Sequence, residues 1–342
     1  MIELHHEILT LHTKVPFAIA RGTQSEYRTV RVIVRADGWE GHGEAAPNRF
    51  YGESAESALA ALDRFRPLLA DMDPWAIESI EQAMHAALRF NGSVKSAISA
   101  ALHDMAGKRL GAPVYRLWGL DPARAPRSSF TIPIAPDAAE LARRVRDAAE
   151  YPVLKIKLGT DRDEAIVRQV RELAPDKVLR VDANAAWTAK HTLGMMPLLM
   201  EHGVEFVEQP LPPADIEGLR FVRERSALPI IADESCVSSA DIPRLVGAVD
   251  GINIKLSKCG GLREALRMIA AARTHGMLVM AGCMVESSLG ITAAAHLAPL
   301  LDYVDLDGAA LISDDPFVGA TIHGGVVRLP EGPGLGVEWR SA

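Results

Sequence analysis

The chain has 342 residues, 48% hydrophobic and 24% charged, with a formal net charge of −7. That balance belongs to a globular protein with a full-sized core and room for two domains, and excludes a disordered, collagenous or small disulfide-stapled chain. The acidity is spread without blocks, which argues against nucleic acid and membrane surfaces as partners; no apolar run nears the ~18 residues of a membrane span. The polar N-terminus is no secretory signal, and Cys236, Cys259 and Cys283, with no CxxC pair, read as reduced thiols of a cytoplasmic protein.

In chain order, Ile2–His12 and Tyr27–Arg35 alternate apolar and polar residues and predict half-buried antiparallel strands. Residues 21–26 and 48–54, rich in Gly, Ser and polar side chains, read as loops. Helical periodicity follows over 54–70, 74–90 and 93–110, the last stopped by Gly111 and Pro113. From about residue 127 the pattern becomes a relay of short β-rich runs and longer helices. Eight strands are predicted: Ser128–Ile134, Val153–Leu158, Lys177–Asn184, Val204–Gln209, Pro229–Glu234, Gly251–Ser257, Met277–Cys283 and Tyr303–Asp307. Eight strands alternating with helices imply an α/β fold of the (β/α)8 TIM-barrel type, with chemistry at the C-terminal strand ends. No GxGxxG or P-loop supports a doubly wound sheet instead. The expected organisation is an α+β capping domain over 1–122, a barrel over 123–310, and a tail over 311–342 that returns to the cap.

A buried barrel strand should be apolar, so charges at its end need a reason. Lys155 and Lys157 lie two apart and share one face of the second barrel strand. Asp182, Glu208, Asp233 and Lys255 end the third to sixth strands, each about one βα unit from the last. Three carboxylates aimed into one mouth are costly unless neutralised. A hard divalent cation does this, and three carboxylates suit octahedral Mg²⁺, with Mn²⁺ a reasonable substitute. Glu205, of opposite parity to Glu208, is expected to face the helix layer; Glu234 and Arg180 are either supporting partners or packing residues. The histidines lack zinc-site spacing, and His296 reads as a helix residue. A solvated ammonium is a poor base, but a neighbouring cation, here Lys155 beside Lys157, eases deprotonation by repulsion. With Mg²⁺ stabilising the enediolate of a carboxylate substrate, Lys157 and Lys255 on opposite faces of the α-carbon fit 1,1-proton transfer.

The sequence resembles the enolase superfamily, muconate-lactonizing-enzyme subgroup, across nearly its whole length. The matching motifs are Lys-Ile-Lys at 155–157, Val-Asp-Ala-Asn at 181–184, Glu-Gln-Pro at 208–210, Ala-Asp-Glu-Ser at 232–235, Ile-Lys-Leu-Ser-Lys at 254–258 and Gly-Pro-Gly-Leu-Gly at 332–336. A lysine base with Mg²⁺ is the general pattern of enolase-superfamily sites. Residues 20–26, Tyr51-Gly-Glu-Ser54 and Asp305-Leu-Asp307 look most like dipeptide epimerases of the L-Ala-D/L-Glu type. The resemblance implies an isomerase with Lys157 and Lys255 as the acid/base pair and Asp182, Glu208 and Asp233 as Mg²⁺ ligands. It implies that Lys155 supports the substrate carboxylate and that Asp305 and Asp307 hold the substrate ammonium. Thr131, Cys283 and Met284 are implied as substrate contacts. Gln24 stands where some glutamate-preferring relatives carry arginine, and it cannot form a charge-assisted fork. Arg21 or Arg28 are candidate substitutes, and a neutral or apolar second residue stays open.

The expected partner is thus a small-molecule dipeptide; barrels of this type are often oligomers, so a homo-oligomer is admitted. Other subgroup chemistries are the alternative, o-succinylbenzoate synthase or N-succinylamino acid racemase, whose substrates lack the ammonium that two aspartates would hold. A Schiff-base aldolase would not require three carboxylates in register.

Overall fold

A computed structural model describes residues 1–340. The N-terminal segment opens with three antiparallel strands, β1 (Glu3–Ile19), β2 (Gly22–Ala36) and β3 (Trp39–Ala45), in the order β1-β2-β3. Val30, Val32 and Val34 alternate with less buried neighbours and face the helices of the cap. Residues 21–26, expected to be a loop, instead form the tip and one arm of a long hairpin, with Phe17 opposite Gln24 and Ile19 opposite Gly22. The arm projects beyond the sheet with polar residues exposed, so no hydrophobic alternation marks it, and the register shifts between His12 and Phe17. Strand β3 was not expected. Its sequence, Trp39-Glu-Gly-His-Gly-Glu-Ala45, has few strand formers.

Three helices follow: α1 (Ala55–Leu69), α2 (Ile77–Ala87) and α3 (Gly92–Leu110). Ser54 and Ser57 close a capping box at the start of α1. Helix α3 is buried on nearly every side, the form expected of a central helix. It lies so close to β3 that a Cβ on Gly43 would stand 2.0 Å from the Ala97 carbonyl. Only glycine allows that approach.

The remainder forms eight parallel strands: β4 (Phe130–Ile132), β5 (Val153–Lys157), β6 (Val178–Asp182), β7 (Val204–Glu208), β8 (Ile230–Ala232), β9 (Gly251–Ile254), β10 (Leu278–Gly282) and β11 (Tyr303–Asp305). Each predicted barrel strand overlaps one of these, and a parallel bridge between Ser128 and Val304 joins the two ends of the sheet. The architecture is a (β/α)8-type barrel with an α+β cap. Phe206, Ile231 and Met280 fill its interior, with Arg180 stacked 5.3 Å from the Phe206 ring and 4.7 Å from that of Tyr303. Glu205 does not simply face the helices. A register shift in β7 places it 2.7 Å from Arg180, so the parity argument fails at the bulge. Helices flank the sheet, but none of the described residues forms a helix long and apolar enough to cross a membrane.

After Leu311 the chain touches both parts. Ser313 donates its N–H to His12, and Leu335 donates to Asp104 of α3. A hairpin over Thr321–Arg328 reaches the barrel rim, where Ser128 donates to Gly325. His296 sits where the segments meet, accepting from the Tyr115 N–H at 3.2 Å and lying 3.2 Å from the Leu335 carbonyl. It is structural rather than a ligand, but it caps the C-terminal end of the helix Ser288–Ala295 instead of lying within it, and burial pushes its imidazole down to about 4. Unfolded histidine titrates near 6.5, so below that pH the unfolded chain binds protons that the folded chain refuses. Stability therefore holds above pH 7 and falls as pH drops from 6.5 towards 4, with His296 contributing a loss of about 2 kcal/mol at pH 5. Urea unfolding at pH 7 and pH 5 should show a shallower acid loss in His296→Gln; an unchanged difference would contradict this origin.

Candidate active site

The C-terminal strand ends place an unusual density of charge beneath the cap. Register sets Lys157 opposite Asp182, and Asp182 opposite Glu208, so three ionisable side chains stand in one row. Lys155, one layer deeper, is enclosed. Its Nζ lies 2.7 Å from Glu208 Oε2, 2.7 Å from Asp305 Oδ2 and 3.3 Å from Asp182 Oδ2. Burial opposes its charge, but Asp305, Glu208 and Asp182 outweigh it and hold the ammonium well above the ordinary lysine range. Lys157 Nζ donates to Asp182 Oδ2 at 2.6 Å, and Lys255 Nζ to Asp233 Oδ2 at 2.8 Å.

The carboxylates are unequal. Burial and the Asp182 charge push Glu208 up to about 7, while Lys157 and Lys155 overcome burial at Asp182 and hold it down to about 2. Glu208 Oε2 has its ion contact with Lys155 but no aligned hydrogen bond, and its other oxygen accepts from Asn253 Nδ2 at 2.8 Å. Among the described residues, no three His, Cys, Asp or Glu side chains are already grouped around one point. Asp182, Glu208 and Asp233 are turned to lysines instead. Their donor chemistry nevertheless fits a hard divalent ion: all are oxygen donors, all are buried, and Glu208 carries negative charge that the lysines leave under-compensated.

A cavity of 410 Å³ lies between this charged floor and the cap. Lys155, Lys157, Lys255, Thr131, Cys283, Met284, Asp305, Asp307 and Gln24 all line it, whereas Asp182, Glu208 and Asp233 are buried below. Asp305 is already engaged, by Lys155 and by Ser129 Oγ at 2.5 Å. Asp307 accepts the Thr131 N–H at 2.6 Å and has no cationic partner among the described residues. Burial and the nearby Asp305 push it up to about 7, as expected of a carboxylate lacking a counter-ion. Burial, with Asp307 and Asp305 nearby, keeps the Cys283 thiol protonated.

The supporting roles of Lys258, Gln209 and Glu44 escaped the sequence reading, whereas Glu234 and Arg21 were among its candidates. Lys258 Nζ donates to Asp233 Oδ1 at 2.6 Å and to the carbonyls of Asp233, Cys236 and Asn253 at 2.6, 2.9 and 2.9 Å. The signal was its three-residue spacing from Lys255, which the helical turn Leu256–Cys259 converts into a shared side. Gln209, at φ 33°, accepts from the N–H groups of Asp233 and Ser235 at 2.9 and 3.0 Å. Such strain at a strand end persists only where its surroundings hold it. Arg21, from the hairpin tip, lies 2.7 Å from buried Glu234 Oε1 and donates to the Asn184 carbonyl at 2.7 Å. Glu234 is thus a partner of the cap. Glu44 of β3 accepts from Ser287 and Gly290 at the start of the helix Ser288–Ala295, a second cap-to-barrel link.

Comparison with known proteins identifies the family. Residues 137–342 match the family described as Enolase C-terminal domain-like, and residues 4–119 match the Mandelate racemase / muconate lactonizing enzyme, N-terminal domain. The chain belongs to the mandelate racemase / muconate lactonizing enzyme family. Within it, the chain is 41% identical to an L-Ala-D/L-amino acid epimerase of Maribacter sp. (strain HTCC2170), over 96% of each sequence. It is 38% identical to an L-Ala-D/L-Glu epimerase of Bacteroides thetaiotaomicron, over 94% of this chain and 84% of that one. A dipeptide epimerase from Enterococcus faecalis V583, crystallised with Mg and the dipeptide L-Leu-L-Tyr, has the same fold at a TM-score of 0.93 and 34% identity, over 98% of each chain.

The caging of Lys258 makes a stability prediction. Lys258→Met should lose about 3–5 kcal/mol in urea unfolding, because a buried carboxylate oxygen and three carbonyls lose their shared donor. A loss below about 1 kcal/mol would mean that water or Lys255 replaces it.

Proposed function

We propose that this chain is a Mg²⁺-dependent dipeptide epimerase acting by 1,1-proton transfer at the α-carbon of the C-terminal residue. The observation that carries the reading is the placement of Lys157 and Lys255. They follow from β5 and β9, four strands apart in a ring of eight, and reach one cavity from opposite walls. Two bases so placed address opposite faces of a bound carbon, the geometry that inversion requires.

Lys157, as the amine, takes the α-proton from one face and becomes ammonium. Lys255, as ammonium, returns a proton to the other face and becomes the amine; the reverse reaction exchanges the roles. Burial works against the charge on Lys255, but Asp233 outweighs it and holds the group above the ordinary lysine range, which keeps it in the ammonium form from which a proton can be returned. Lys155 keeps its charge beside the substrate carboxylate. Asp182, Glu208 and Asp233 would hold the metal, which when bound supplies Lewis-acid stabilisation of charge building on that carboxylate. Asp307, beside Asp305 and close to the lysine floor, has no cationic partner among the described residues and is suited to the substrate ammonium; Glu53, also in the cavity lining, is spent on the N–H groups of Gly92 and Ser93. Thr131, Cys283, Met284 and Gln24 form walls around the substrate. The reduced thiols fit a cytoplasmic setting.

The names of the relatives support this reading: epimerases of dipeptides, one crystallised with Mg. Deuterium uptake from D₂O, followed by mass spectrometry, tests the two-base scheme. The native protein with Mg²⁺ should exchange the α-proton of the second residue, and a chelator should stop it. Lys157→Ala should abolish exchange from the L epimer, and Lys255→Ala from the D epimer. Equal residual rates from both epimers in either variant would contradict the scheme.

A further inference from the structure

Six cationic side chains line the cavity: Lys155, Lys157, Lys255, Arg21, Arg28 and Arg49. Five have carboxylate partners. Lys155 has Glu208 and Asp305, Lys157 has Asp182, Lys255 has Asp233, Arg21 has Glu234 and Arg28 has Glu56. Arg49 forms no ion pair among the described residues. Its recorded polar contact is a hydrogen bond from Nη2 to the Arg21 carbonyl at 3.0 Å.

The backbone at Arg49 is held by its surroundings, while the side chain is exposed. It begins a 3₁₀ turn, Arg49–Tyr51, which Asn48 caps by accepting the Phe50 N–H at 2.9 Å. Gly22, at φ +133°, leaves space for the guanidinium, since a Cβ there would stand 2.9 Å from that same Nη2. One of the five N–H groups of Arg49 thus ties it to the hairpin tip, and the rest of its fork stays free for a planar anion. The hairpin tip itself is anchored over the barrel by Arg21, which donates to Asn184 at 2.7 Å. The floor of the cavity is filled with paired charges. A dipeptide held by its ammonium at Asp307 and by its α-carbon between Lys157 and Lys255 must turn its second side chain towards the cap, where Arg49 stands.

Resting on the epimerase reading above, we infer that Arg49 receives a side-chain carboxylate, so that the preferred second residue of the dipeptide is acidic. The arginine function absent at Gln24 is supplied from the 48–54 loop. Arg21 and Arg28, the other two cap cations, already have carboxylates of their own.

The test compares L-Ala-L-Glu with its neutral isostere L-Ala-L-Gln, by deuterium exchange at the second α-carbon with Mg²⁺ present. The native protein should favour the glutamate dipeptide in kcat/KM by about 10- to 100-fold, the range of one charged hydrogen-bonded contact. Arg49→Met should lose that advantage and change the rate on L-Ala-L-Gln by less than about threefold, since the charge contact alone is removed. Arg49→Lys should keep part of the preference, with a point charge in place of a fork. Equal native rates on both dipeptides, or an equal fall on both in Arg49→Met, would overturn the role of Arg49 and leave the epimerase reading standing. No exchange from any dipeptide would overturn the epimerase reading itself.

Discussion

Lys155 is an almost wholly buried ammonium group at the cavity floor, held by carboxylates from three different strands. Neither side of that arrangement is tolerable alone. A buried lysine without counter-charge tends to lose its proton, and Asp182, Glu208 and Asp305 brought together without a cation repel one another. Their mutual neutralisation allows a barrel mouth to be lined with ionisable groups and still fold. Around it each neighbour is tied down in turn: Asp182 by Lys157 and the Asn184 N–H, Glu208 by Asn253, Asp233 by Lys255 and Lys258. A pair of this kind is weak evidence for stability but a strong constraint on geometry, because removing one partner strands the other.

The barrel and its charged row were legible because two periodicities coincide in the sequence. Strand-like runs recur with helical runs between them, and a charge ends five successive runs. A row of charges at regular βα spacing has few structural explanations. What the sequence hid depends on backbone detail. Glu205 was misplaced because strand parity assumes an unbroken register, and β7 bulges. The arm at residues 22–26 looked like a loop because a hairpin projecting past its sheet buries neither face. Lys258 lies inside a motif that was read, yet its function depends on the chain leaving β9 for a helical turn, which no strand pattern announces.

The cap reaches the barrel through contacts that also bear on the cavity. Arg21 spans from the hairpin tip to Glu234 and Asn184, and Glu44 of β3 seats the helix Ser288–Ala295. Glu53 accepts from the N–H groups of Gly92 and Ser93 and so binds the 48–54 loop to α3. Asn48 Nδ2 approaches Met284 Sδ at 3.5 Å, joining that loop to the end of β10. The loops that roof the cavity are therefore not free flaps. Each has at least one polar tie to a rigid element, which keeps the roof in register with the floor.

This arrangement separates two tasks that follow different physical rules. Proton transfer needs bases fixed to within fractions of an ångström, and strand ends braced by buried ion pairs supply that. Choosing a side chain needs only a complementary wall, and an exposed loop can change its wall without disturbing the strands. Arg49 and Gln24 both lie on the roof, and neither touches the lysines, Asp182, Glu208 or Asp233 through any recorded hydrogen bond or ion pair. Relatives with the same fold bear names for different dipeptides, which is what such a division permits. Among the described residues, the charge on the floor is nearly closed upon itself, whereas the roof holds a guanidinium without a carboxylate and the far wall holds Asp307 without a cation. On the proposed reading, a substrate bearing an ammonium at one end and an anion at the other would complete both, with the lysines at the carbon between them.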